Sequence, residues 1–190
     1  MVALNTPKVN FDFTAQDFNL LGVDNKYYTL SDCCGKNGLI IMFICNHCPY
    51  VQSIIDNLVS DVDLLKRDYQ VNAVAIMPND TNEYPEDCYE NMVDFAEKHK
   101  FTFPYLIDST QKIAKEYGAV CTPDFFGFNS NLNLCYRGQF NDTKKERSHT
   151  YVTGSSNLFK AMKFIAETGH VPADQKPSIG CSIKWSNSIN

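Results

Sequence analysis

The chain has little of what marks several protein classes. No apolar stretch approaches the roughly 20 residues that span a bilayer; the run Leu39-Ile-Ile-Met-Phe-Ile44 is far shorter. No basic stretch followed by a greasy one marks an export signal, because Met1 to Gln16 alternates polar and apolar residues. The expected setting is therefore the reducing cytoplasm, where thiols outlast disulfides. Lysine and arginine number 17 against 22 acidic residues, for a net charge of −5. With no basic stripe to neutralise phosphates, a dedicated nucleic-acid binder is excluded. Nine glycines and eight prolines in 190 residues exclude collagen-like and low-complexity chains. No internal repeat or linker divides the chain. One domain over 1–190 is expected, with 170–190 an irregular tail packed on it.

What the chain does have is a 44% hydrophobic content and eight cysteines. The first suffices for a core without covalent staples. The second is too sparse for a disulfide scaffold, so patterned cysteines point to redox or metal chemistry. Spacing has to choose between them.

The order of elements frames that choice. Val9–Phe13 and Lys26–Leu30 read as strands around the turn Gly22-Val-Asp-Asn25, an N-terminal hairpin. Ser31 and Asp32 open a short helix or turn. Leu39–Ile44 is continuously apolar, as in a strand covered on both faces. Val51, Ile54, Ile55, Leu58, Val59, Val62 and Leu65 then recur at helical spacing, with Pro49 suited to the first turn. A strand follows at Val71–Ile76, a helix at Pro85–Lys100 and a strand at Pro104–Ile107. Asp108-Ser-Thr-Gln111 resembles a capping box opening a short helix that Gly118 ends. Asp124–Phe128 and Leu132–Tyr136 read as a hairpin, Asn141–Thr150 as a surface loop, and Ser156–Thr168 as the last helix. The implied fold is α/β, a mixed sheet with helices on both faces.

Cys45-x-x-Cys48 lies between a buried strand and an amphipathic helix, the setting of a thioredoxin-like redox pair. A helix N-terminus favours an anion, and the thiolate is the reactive form. Cys45, at the strand end, is expected to be the more exposed, attacking sulfur, and Cys48 the resolving one. His47 lies between them; as an imidazolium it would favour the thiolate of Cys45, and otherwise it is a solvated side chain.

Four segments carry a resemblance: Phe43-Ile-Cys-Asn-His-Cys-Pro-Tyr-Val51, Cys121-Thr-Pro-Asp-Phe-Phe126, Tyr136-Arg-Gly-Gln-Phe140 and Pro177-Ser-Ile-Gly-Cys-Ser-Ile-Lys-Trp185. The chain resembles thioredoxin-like redoxins of the alkyl hydroperoxide reductase/thiol-specific antioxidant type, from about Phe11 to Trp185. The resemblance implies a thioredoxin fold and thiol–disulfide or peroxide chemistry. It also implies that Thr122-Pro123 is the cis-proline element facing the CxxC.

Cys121 would then lie near Cys45, and Cys181 sits on the tail. Three readings stay open: a second redox pair relaying electrons to or from Cys45 and Cys48, completion of a metal site, or inert buried thiols. Of the rest, Cys33 and Cys34 are expected to bury one thiol and expose the other. Cys88 in Glu86-Asp-Cys-Tyr-Glu90 is expected to be a poor nucleophile, and Cys135 a core residue.

The leading expectation is a thiol–disulfide oxidoreductase for cell redox homeostasis with no organic cofactor. Its substrate would be a disulfide-bearing protein, or a small thiol or peroxide, and a partner thiol protein would re-reduce it. Neither nucleic acid nor membrane is an expected partner. A peroxiredoxin-like peroxidase is the alternative, although the proline and threonine usual before the peroxidatic cysteine are missing upstream of Cys45. A structural zinc module, with Cys45 and Cys48 joined by Cys121 plus Cys181 or His47, is the third.

Overall fold

Six consecutive apolar residues need cover on both faces, and Leu39–Ile44 have it: all are at 0% exposure. In the computed structural model, which describes residues 3–141 and 151–186, Leu39–Phe43 lie in an interior strand of the main sheet and Ile44 follows it. The elements are β1 (Ala3–Asn5), β2 (Asn19–Gly22), β3 (Tyr27–Thr29), α1 (Leu30–Cys33), β4 (Gly38–Phe43), α2 (Pro49–Gln52), α3 (Ile55–Tyr69) and β5 (Val71–Met77). After a 3-10 turn at Pro85–Asp87 come α4 (Tyr89–Lys98), β6 (Tyr105–Ile107), α5 (Lys112–Glu116), β7 (Cys121–Thr122), β8 (Asp124–Asn129), β9 (Leu134–Gly138), α6 (Asn157–Thr168) and β10 (Ile179–Ser182). The loop expected at Asn141–Thr150 lies, beyond Asn141, outside the described residues.

The main sheet has the order β3-β2-β6-β5-β4-β8-β9. It is mixed: β4 pairs parallel with β5 and antiparallel with β8. Alternation along β4 builds two cores. Ile40, Met42 and Ile44 join Val51, Leu58, Leu65, Met92, Leu158 and Ile165 on one face. Leu39, Ile41 and Phe43 join Leu30, Leu106, Ile113, Phe126 and Phe128 on the other. Each such side chain contributes roughly 1.5–3 kcal/mol by leaving water. The expected mixed sheet with helices on both faces is what forms.

Four local expectations need correction. The first strand of the N-terminal hairpin is Asn19–Gly22, not Val9–Phe13; the stretch before it contributes one bridge, Thr14 to Asn133. The long helix is broken at Ser53 and Ile54. There the Ser53 hydroxyl donates to the Tyr50 carbonyl, and the Ile54 N–H reaches Val51 instead. Asp108 does not box the start of α5; its buried carboxylate accepts from the Ala114 N–H, inside that helix. The tail is not wholly irregular. Ile179–Ser182 is the middle strand of a second sheet, β1-β10-β7, with Cys181 opposite Ala3 and Thr122. Beyond it, the Lys184 N–H donates to Asn79, and its carbonyl accepts from Asp80 and Gln111.

One buried ion pair ties β8 to β9. The Arg137 Nη2 lies 2.8 Å from Asp124 Oδ2, also donates to the Gly118 carbonyl, and the guanidinium stacks 4.4 Å over Phe126. Complete burial pushes the Asp124 carboxyl up to about 6, against the pull of Arg137. A carboxyl raised on folding contributes stability that is full below its unfolded pKa of about 4 and lost as pH rises through 6. Replacing Arg137 with Met leaves the carboxylate unpaired. Urea unfolding at pH 8 is expected to show a loss of about 3–5 kcal/mol, shrinking at pH 5 where Asp124 is protonated. An equal loss at both pH values would contradict the assignment.

Candidate active site

The strand register assembles the site. Phe43 on β4 faces Asp124 on β8. Continuing that antiparallel register by two residues sets Cys45 opposite Thr122, and Cys45 Sγ lies 3.1 Å from Thr122 Oγ1. Thr122-Pro123 is the one cis peptide bond among the described residues. Cys48, the N-cap of α2 before Pro49, places Sγ 3.1 Å from the Thr122 carbonyl oxygen. Both cysteines thus touch one residue of the cis-proline turn, from its hydroxyl and its carbonyl.

A third sulfur joins them. Cys181 Sγ lies 2.9 Å from Cys48 Sγ. Register explains why it is Cys181 and not Cys121. Cys181 is directly across from Thr122, whereas Cys121 pairs with Ser182. Successive strand residues point to opposite faces. Cys121 is buried, its thiol 3.7 Å from the Pro123 carbonyl, with Asp124 and Arg137 as its strongest charged neighbours. Burial and Asp124 push that thiol up to about 12. Gly180 permits the approach of β10: a Cβ there would meet the Thr122 carbonyl oxygen at 2.2 Å.

Neither sulfur is exposed: Cys45 is 1% and Cys48 0% accessible, so strand-end position does not open Cys45 to solvent. An anion on this pair is shared between two sulfurs that shift each other in opposite directions. Cys48 is the one held down, to about 5, chiefly by Cys45 and then, against burial, by Cys181 and the Val51 N–H at the helix start. Cys45 is correspondingly pushed up by Cys48 and burial, with the Thr122 hydroxyl pulling the other way. Burial and Cys48 push Cys181 up to about 12.

His47 does not act as a free cation beside Cys45. Its Nδ1 lies 2.7 Å from Oδ2 of Asp87, which raises the imidazole pKa, and its ring stacks on Tyr84. Asp87 is fully buried and opposes a thiolate on Cys45. It also accepts from the Asn46 N–H and from Asn79 Nδ2, while Asn46 in turn accepts from the Tyr105 hydroxyl. This network fixes the loop between the two cysteines. Sequence reasoning missed Asp87; its only signal was the acidic run around Cys88.

Among the described residues, the group that gathers ligand-type atoms within 4.8 Å is Cys45, His47 and Asp87. That is not the zinc set expected from spacing. Asp87 already accepts from the N–H groups of Asn46 and His47 and from Asn79 Nδ2, and His47 Nδ1 lies 2.7 Å from its Oδ2. The other cysteines fall as expected in placement. Cys33 is buried with its thiol pushed up to about 12 by burial, Cys34 is half-buried, and Cys135 lies in the core.

Residues 12–146 match the family model described as the AhpC/TSA family. The chain belongs to the AhpC/TSA family. Its biochemistry is accordingly redox chemistry on a thioredoxin-like scaffold. This AhpC/TSA member is similar to an uncharacterised conserved protein from Geobacillus kaustophilus at 41% identity, over 100% of this chain and 99% of that one, with a TM-score of 0.88. A hypothetical protein from Sinorhizobium meliloti shares 33% identity over 97% and 99% of the two chains, also at TM-score 0.88. A putative protein disulfide isomerase from Bacteroides thetaiotaomicron, at 16% identity and TM-score 0.64 over 85% of this chain and 92% of that one, shares the fold. No curated protein matches. No helix among the described residues is long and apolar enough to cross a membrane.

The ultraviolet absorbance of thiolate, titrated on the reduced protein, is expected to show one transition near pH 5 that disappears in Cys48→Ser. A first transition near the ordinary cysteine value of about 8.5 would contradict the shared anion.

Proposed function

We propose that this chain is a thiol–disulfide oxidoreductase whose working pair is Cys45 and Cys48. The observation that carries the reading is the contact of both sulfurs with Thr122 of the cis-proline turn, through its hydroxyl and its carbonyl. The reaction runs in two exchanges. In this reading the thiolate forms at Cys45 when its proton passes to the neighbouring sulfur of Cys48. The Thr122 hydroxyl stabilises the anion there. Cys45 attacks one sulfur of the substrate disulfide, whose other sulfur leaves as thiolate and takes a proton. Cys48 then attacks Cys45 in the mixed disulfide, releasing the second substrate thiol and leaving a Cys45–Cys48 bridge. A partner thiol protein returns two electrons. No organic cofactor enters.

The substrates in this reading are disulfide-bearing proteins or small disulfides. A small surface dimple beside Pro123 is lined by Tyr50, Ile54, Gln139, Phe140 and Ile179, next to the cis-proline turn. Tyr50 and Ile179 offer exposed apolar surface at its rim. The setting is the reducing cytoplasm, with the resting enzyme a dithiol.

A second reading, a thiol peroxidase, is favoured by the family match. In it Cys45 is oxidised by peroxide to a sulfenic acid and Cys48 condenses with it, releasing water. Against it, the buried guanidinium of Arg137 is committed to Asp124 and Gly118 and not to a sulfur.

Mixing Cys48→Ser with a disulfide-bonded peptide separates roles and readings. The expected result is a stable mixed disulfide through Cys45, with turnover of the peptide reduced to background. Trapping through Cys48 in Cys45→Ser alone would reverse the roles. Rapid, thiol-dependent consumption of hydrogen peroxide by the unaltered protein, without peptide reduction, would favour the peroxidase.

A further inference from the structure

Cys181 has no part in the two exchanges above, yet its sulfur is 2.9 Å from Cys48. It is 3% exposed, so the contact is sealed from bulk solvent. Three independent features hold it there. Its strand is clamped on both edges, by β1 and by β7. Gly180 lets the backbone lie against the Thr122 carbonyl, where any side chain would clash. Ser178, three residues earlier, donates its hydroxyl to the Pro123 carbonyl and its N–H to Thr6. The cis-proline turn that touches Cys45 and Cys48 is thus the same element that positions Cys181.

We propose that Cys181 is a third redox cysteine, which takes over the disulfide from Cys45 by forming a Cys48–Cys181 bridge. The inference rests on the dithiol reading of Cys45 and Cys48. In the step, the Cys181 thiol loses its proton and its sulfur attacks Cys48 Sγ. The Cys48–Cys181 bond forms and the Cys45–Cys48 bond breaks. Cys45 leaves as thiolate and takes up the proton. The two oxidising equivalents are conserved, so no oxidant or reductant is consumed. Cys45 is freed as a thiol while the protein stays oxidised, and the bridge pins β10 to the start of α2. Cys48 is the middle sulfur of the relay, which accounts for its contacts on both sides. Cys121, on the opposite strand face, takes no part.

The test is disulfide mapping by mass spectrometry after treating full-length Cys45→Ser with diamide, a chemical oxidant of thiols. The expected result is loss of two alkylatable thiols and a Cys48–Cys181 bridge, retained in Cys45→Ser/Cys121→Ser and lost in Cys45→Ser/Cys181→Ser. Cys45→Ala serves as a second background if serine disturbs the site. A Cys181 that stays alkylatable while Cys48 is oxidised or takes an external adduct would overturn the relay, as would a Cys48–Cys121 bridge. The unaltered protein, oxidised in parallel, separates the two failures. A Cys45–Cys48 bridge there, with none at Cys181 in Cys45→Ser, sinks the relay and leaves the dithiol reading standing. Finding neither a Cys45–Cys48 nor a Cys48–Cys181 bridge in the unaltered protein sinks the dithiol reading, whereas a Cys48–Cys181 bridge there supports the relay.

Discussion

The site depends on one strand register. Antiparallel pairing of β4 with β8 sets Phe43 against Asp124, and everything beyond that rung is placed by continuation. Cys45 falls opposite Thr122, and the chain then turns into α2 with Cys48 as its N-cap. A slip by one residue would send every side chain of β4 to the other face. That slip is opposed by two cores at once, since β4 is buried on both sides. The apolar run therefore does more than fill the interior: it locks the position of two sulfurs beyond its own end.

The electrostatics follow from burial. Water is kept from both sulfurs, so their charge is set by fixed neighbours. Donors converge on Cys48: a thiol on each side and a helix N–H. Near Cys45, His47 Nδ1 lies against the buried Asp87 carboxylate, which raises the imidazole pKa and opposes a thiolate on Cys45. The two sulfurs are thus shifted in opposite directions, Cys48 down and Cys45 up.

Much of this was legible in the chain itself. Leu39–Ile44 announced a doubly covered strand, and Cys45-x-x-Cys48 followed by an apolar helical face announced the pair. Thr122-Pro123 was placed by resemblance and is where it was expected, with the cis bond. What stayed hidden was long-range. Asp87 reaches the loop between the cysteines from some 40 residues away, and no local pattern distinguishes it from its acidic neighbours. The strand at Ile179–Ser182 is short and preceded by Pro172 and Pro177, and its order comes from partners at the far end of the chain and in the cis-proline turn. Cys121 and Cys181 were equally suspicious in sequence, and only the pairing of Cys181 with Thr122 separates them. The burial of both Cys45 and Cys48 is also hidden, because strand-end position says nothing about what covers it.

The most direct measurement is a redox titration of the unaltered protein in glutathione buffers, with disulfides mapped at each point. A two-electron transition ending in an intramolecular bridge from Cys48 is the predicted outcome, with the Cys45–Cys48 form present. Glutathione adducts or a sulfenic acid, with no intramolecular bridge at any potential, would contradict a working dithiol built on the cis-proline turn.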